Sequence, residues 1–294
     1  MNSRWMIAQG RTVLTAGTVL AVLLLAGGWL FSHPISVSAN QSVILLPAAM
    51  YHSVTDAGDS PAQYVISPSM LESDLQYLQA HGRETVTIHD LLAYVQDGAA
   101  LPEKPVLLTF DDGYYNNYKY AYPLLKQYGM RAVLSPVASL TERFSQTDEA
   151  EQEAWSYCTG RELREMADSG VFEMQNHSYD FHELKPRKGC LRMAGETAAA
   201  YRQCFLSDTR RAQDLFVSLG IEAPVCYTYP YGAVNAEAQA LTAVCGFSVT
   251  LSCEEGVTAL TRDTACLKGM RRNNRDGRWS SAQFWDALLA QTEG

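Results

Sequence analysis

The stretch Val106-Leu107-Leu108-Thr109-Phe110-Asp111-Asp112-Gly113 runs an apolar segment directly into two adjacent carboxylates and a glycine. A continuous apolar run of this length reads as a strand buried on both faces, which is the habit of parallel sheets. Working outward, strand-like and helix-like periods alternate. Strands are expected at 43–46, 85–88, 106–110, 132–137, 171–175, 226–229 and 247–251. Helices are expected at 90–96, 118–128, 161–167, 194–219, 236–244 and 282–290. A further helix opens at Ser67-Pro68, carries Leu71, Leu75 and Leu78 on one face, and stops at His81-Gly82. Strands that keep alternating with helices pair in parallel through crossovers. The expected fold is therefore α/β, a distorted and incomplete (β/α) barrel of about seven parallel strands. The polar, acidic segment 141–153 reads as an exposed insertion.

Composition narrows the class. In 294 residues, 47% are apolar and 19% charged, which excludes a disordered chain. A net charge of −9 argues against a nucleic-acid partner. From Thr12 to Phe31, twenty residues carry no charge, with Arg4 and Arg11 ahead of them and no acid. That run is long enough to span a bilayer, and its basic flank places the N-terminus inside. The expected organisation is a cytoplasmic N-terminus and signal-anchor over 1–31, a tether over 32–42 and a catalytic domain over 43–294 on the extracytoplasmic side. Val37-Ser38-Ala39 supports the alternative of secretion after cleavage near Ala39. None of the seven cysteines is spaced C-x-x-C, so a zinc ribbon is not supported and no disulfide is assigned.

Three segments carry chemistry. In parallel α/β sheets ligands sit at the C-terminal ends of strands. Asp111 and Asp112 occupy such an end; if a metal takes one, the other remains as a base. Asn176-His177-Ser178-Tyr179-Asp180-Phe181-His182 follows the strand at 171–175. Its two histidines are five apart, which on a helix would turn them away from one another, whereas on a strand-to-loop corner both rings can converge on one ion. Two imidazoles and a carboxylate suit a divalent ion, zinc first, with iron, cobalt and nickel compatible. Thr228-Tyr229-Pro230-Tyr231-Gly232 ends the strand at 226–229, and the Tyr231 backbone N–H there is suited to an oxyanion.

Taken together these residues resemble the polysaccharide deacetylase family, the NodB-homology carbohydrate esterases. TFDDG matches that family's first motif and His177…His182 its second. The resemblance covers about 43 to the C-terminus. It implies metal-dependent removal of acetyl from an N-acetylglucosamine-containing cell-envelope or extracellular polysaccharide. It further implies Asp112, His177 and His182 as ligands and Asp111 as general base. Two alternatives remain: a non-catalytic glycan-binding barrel, and a metal amidase acting on another C–N bond.

The departures from the family pattern point to a branch. One extra residue separates the two histidines, Thr228 stands where an Arg is usual, and no late histidine is available as acid. The spacing and Tyr-Pro-Tyr-Gly look more like the branch containing poly-N-acetylglucosamine deacetylases, whose acid motif lies N-terminally. Met50-Tyr51-His52-Ser53 suits that position, just after the strand at 43–46, and makes His52 the acid; His89 is the weaker rival. Arg271 or Arg272 is available in place of the missing Arg, with Thr228, Tyr229 and Pro230 as support.

Overall fold

The computed structural model describes residues 43–57 and 61–292. The expected anchor and tether lie outside these residues. Among the described residues no helix is long and apolar enough to cross a membrane.

In chain order the regular elements are β1 (Ile44–Leu46), β2 (Ala48–Tyr51), β3 (Ser53–Val54), β4 (Val65–Ile66), α1 (Pro68–Ala80), β5 (Glu84–Val86), α2 (Ile88–Leu92) and β6 (Pro105–Asp112). There follow α3 (Tyr122–Gln127), β7 (Ala132–Pro136), α4 (Ala138–Phe144), α5 (Gly160–Asp168), β8 (Phe172–Met174) and α6 (Ala198–Ser218). The chain ends with β9 (Cys226–Thr228), α7 (Ala236–Val244), β10 (Val249–Leu251), β11 (Thr258–Leu260), β12 (Asn273–Asn274) and α8 (Ser281–Leu289).

A six-stranded sheet runs β12-β2-β6-β7-β8, with β5 also on β6, and every pairing in it is parallel. β9 and β10 form a separate parallel pair. Two single bridges join the pieces into a ring, Asn176 to Tyr227 and Leu251 to Met270. The architecture is thus α/β with a parallel, barrel-like sheet, interrupted where strands meet through one bridge instead of a ladder.

Strand alternation sorts the side chains into two layers. Val106, Leu108 and Phe110 of β6 face outward and pack with Leu71, Leu75, Leu163 and Trp285 from α1, α5 and α8. Leu107 faces inward and joins Ala48, Val133, Cys226, Val249 and Leu251 in the lower barrel. The inward row of β6 continues through Thr109 to Asp111. Register sets Thr109 opposite Met50 and Val133, and Asp111 opposite Ser135. The interior is therefore apolar at one end and polar at the other.

Three expectations need correction. The strand before His52 is β2, not the run at 43–46, which pairs antiparallel with β11 outside the barrel. Pro47 separates the two strands, and β2 is masked in the sequence by its alanines, which carry little strand preference. Segment 141–153 is not simply an exposed insertion. Its start belongs to α4, where Thr141 and Phe144 are buried, and Glu153 accepts from Thr55 and Tyr120. The late elements β11 and β12 are also additions to the expected set, too short to show a period.

β12 leads into Arg275, which ties the end of the chain to α1. Its Nε and Nη2 donate to the two carboxylate oxygens of Asp74 at 2.8 and 3.1 Å, and Tyr51 donates to the same carboxylate. Both charges are fully shielded from solvent. Asp74→Ala leaves a buried guanidinium without its counter-charge, and a loss of about 3–5 kcal/mol is expected, measured as a lower urea midpoint with unchanged slope.

Candidate active site

The polar end of the barrel opens into a cavity of about 630 Å³ lined by Met50, His52, Asp111, Asp112, His177 and His182, with Tyr64, Tyr114, Tyr231, Cys253 and Glu255 around them. Its centre is the end of β6. By alternation residue 112 would point outward to the helices, but Asp112 has a left-handed φ of 69°, which turns its carboxylate over the barrel mouth. Gly113 follows at φ 79°, and a Cβ there would meet Pro136 Cβ at 2.5 Å, so only glycine completes this turn. The two neighbouring carboxylates thereby acquire different partners.

Asp112 Oδ1 lies 3.0 Å from His182 Nε2 and 3.5 Å from His177 Nε2. One ligand atom from each of these three residues falls within 4.8 Å of the others. Tetrahedral zinc with bonds of about 2.0–2.1 Å spaces its ligands roughly 3.3 Å apart, a value that the two Asp112–imidazole distances bracket. His177 meets a further requirement. Its Nδ1 lies 2.8 Å from the Thr228 carbonyl and donates to it, which fixes the ring with Nε2 facing Asp112. Burial would raise the Asp112 carboxyl, but its hydrogen bonds with His177 and His182 hold it far below the usual range.

Asp111 is taken by Arg272. The guanidinium Nη1 and Nη2 donate to its two oxygens at 2.7 and 2.8 Å, while Nη1 also reaches Thr109 Oγ1 and Nε the Ser252 carbonyl. Arg272 is wholly buried. Burial would raise the Asp111 carboxyl; the guanidinium outweighs it and holds the group below its ordinary value. Each carboxylate oxygen keeps a further acceptor direction despite this pairing.

His52 extends the inward row Ala48-Met50-His52 into the same cavity, its ring edge-on to Tyr64 at 4.8 Å. Its Nδ1 is buried with no protein hydrogen-bond partner. Burial lowers its pKa, and the charges of Asp111 and Asp112 partly restore it. Tyr231, at φ 58° and 41% exposed, stacks on His182 at 4.7 Å and donates its hydroxyl to the His182 carbonyl at 3.2 Å.

The remaining expected residues separate. Arg271 is not in the site: its guanidinium faces Glu254 and the Glu255 carbonyl at the surface. Consecutive residues on an extended segment point opposite ways, so only Arg272 enters the barrel. Thr228 supports His177 through its carbonyl and bonds Ser135 through its hydroxyl at 2.8 Å. Tyr229 is buried against Thr242, and Pro230 shapes the turn; neither lines the cavity. His89 pairs with Glu173, the middle residue of β8, and does not line the cavity. Sequence reasoning missed Tyr114, whose ring stacks on Tyr157 beside Asp112. Its place next to Gly113 was the available signal. Tyr64, Cys253 and Glu255 come from loops with no such signal.

Residues 98–250 match the family model described as polysaccharide deacetylase. The chain belongs to the polysaccharide deacetylase family and is an enzyme of that type. It is 28% identical over 227 residues to YxkH of Bacillus subtilis, a protein named as a polysaccharide deacetylase, covering 77% of this chain and 71% of that one. It is 27% identical over 195 residues to the poly-beta-1,6-N-acetyl-D-glucosamine N-deacetylase of Staphylococcus aureus, covering 65% of this chain and 62% of that protein. The solved structure of IcaB from Ammonifex degensii shares the fold, with a TM-score of 0.68 at 23% identity over 86% of this chain and 99% of that one.

The contrast between the two arginines is testable by urea denaturation. Arg272→Ala strands a buried carboxylate and should cost about 3–5 kcal/mol. Arg271→Ala, at an exposed pair, should stay within about 0.5 kcal/mol of the parent.

Proposed function

We propose that this enzyme hydrolyses the N-acetyl groups of an N-acetylglucosamine polymer of the cell envelope or extracellular matrix, with a divalent metal held by Asp112, His177 and His182. The observation that carries this reading is the grouping of those three ligand atoms at one barrel mouth, beside the Asp111–Arg272 pair and His52. The resemblance to a poly-N-acetylglucosamine deacetylase supports the substrate class. Zinc suits the donors best, and iron, cobalt and nickel satisfy the same set. Such an ion supplies Lewis-acid polarisation of the acetamide carbonyl and a more acidic water.

The chain's own residues then divide the work. Asp111, held ionised by Arg272, accepts a proton from the attacking water. Arg272 restricts the carboxylate to one orientation. The Tyr231 N–H donates to the developing oxyanion, a contribution of about 3–4 kcal/mol for one such donor. His52 protonates the leaving amine; burial lowers its pKa, and the neighbouring carboxylates oppose that shift. The exposed rings of Tyr64 and Tyr231 flank the cavity and offer apolar faces to sugar rings. On the same reading residues 43–294 form the catalytic domain, and the charge-free run at 12–31 tethers it to the outer face of a membrane.

The test is acetate release by the full chain from poly-β-1,6-N-acetylglucosamine, chitooligosaccharides and peptidoglycan, before and after chelation and with metals restored. Activity should vanish with the chelator and return with zinc or cobalt. His177→Ala should abolish both metal binding and turnover; unchanged activity overturns the proposal. Asp111→Asn should keep the metal and lose turnover, and loss of metal in that variant would exchange the two aspartate roles. Retention of glycan without acetate would assign the barrel to binding.

A further inference from the structure

The five-residue spacing of His177 and His182 demands an irregular loop of fixed shape. Within it, the Ser178 N–H is held by Asn176 Oδ1 at 2.7 Å and the Phe181 N–H by Ser178 Oγ at 3.0 Å. Ser178 itself sits at φ 71°. The two middle amides are held from elsewhere. Tyr179 N–H donates to Asp208 Oδ1 at 2.9 Å and Asp180 N–H to Asp208 Oδ2 at 2.8 Å. Asp208 lies midway along α6, distant in sequence from both histidines, and is 8% exposed.

We infer that Asp208 is a positioning residue: its carboxylate, clamped on two consecutive loop amides, holds His177 and His182 in their converging geometry. The inference rests on the metal reading above. An aspartate in mid-helix is a poor choice for the helix itself, and here it spends neither oxygen on its own backbone. Burial pushes its carboxyl up to about 6, a cost that the two N–H donors oppose. The same helix adds Arg211, one turn on, whose guanidinium lies 3.6 Å over the Tyr179 ring. From the opposite side, the Ser178 and Tyr179 carbonyls accept from Ala138 and Ser139 at the start of α4. The loop is therefore gripped between α4 and α6, and Asp208 supplies the only charged grip on its backbone amides among the described residues.

Asp208→Asn preserves volume but turns an NH₂ towards one of the two amides. In the full chain, zinc affinity measured by competition with a chromophoric chelator should fall about 10–100-fold, the usual effect of losing a group that orients ligands. The cobalt(II) absorption spectrum should change, and kcat should fall more than KM, while far-ultraviolet circular dichroism stays that of the parent. A folded Asp208→Asn with parental zinc affinity and cobalt spectrum overturns the inference and leaves the proposed function standing. Hydrogen exchange on the metal-free wild-type chain gives a second arm that needs no variant. The amides of Tyr179 and Asp180 should be as protected as those of β6 and β7; rapid exchange there overturns the inference. A wild-type chain that binds none of the metals and releases no acetate removes the proposed function, and the inference with it.

Discussion

Two adjacent carboxylates cannot share one buried environment as like charges, and the end of β6 is built to part them. Asp111 follows the inward alternation of its strand and meets Arg272, whereas Asp112 is rotated out of that alternation by its left-handed backbone and meets two imidazoles. Gly113 makes the rotation possible because nothing larger fits against Pro136. The Val137 N–H then closes on the Asp112 carbonyl at 3.1 Å and fixes the turn against β7. Each carboxylate is partnered by a different part of the chain, so the site exists only when those parts are assembled.

This makes the C-terminal segment more than a barrel-closing strand. Arg272 enters the barrel to Asp111, and Arg275, three residues on, leaves it to Asp74 on α1. Both guanidiniums are buried and both are paired with good hydrogen-bond geometry, the condition under which such groups are tolerated in an interior. The pair of ion pairs locks the last strand in register with β2 and joins the reactive mouth to the outer helical layer. The charge at the barrel mouth and the stability of the fold are thus coupled through four residues of one short segment.

The interior has a gradient along its axis. At the lower end Leu107, Val133, Cys226 and Val249 make an apolar plug. Above it the inward positions turn polar: Thr109 stands beside Met50, Asp111 beside Ser135, and Thr228, His52 and His177 complete the mouth. Polar atoms at that end are satisfied by one another: Ser135 with Thr228, Thr109 with Arg272 and the Ala49 carbonyl. The unpartnered Nδ1 of His52 stands out against this background as a group kept free at the mouth.

Much of this was legible from residue order alone. Alternating periods fix a parallel α/β fold because strand and helix bury their apolar faces with different spacing. The motifs at strand ends locate the mouth because parallel strands all finish on the same side. What the letters left open was decided by contacts between distant segments. β2 is invisible beside the stronger run at 44–46 because alanine has no strong strand preference. Arg271 and Arg272 are indistinguishable as neighbours until the strand sets which one faces inward. The separate environments of Asp111 and Asp112, and the hold of Asp208 on the histidine loop, arise from hydrogen bonds across 161 and about 29 positions of sequence. Local propensity reaches only a few residues along the chain, so partners of that kind are chosen by the packed barrel and by nothing shorter in range.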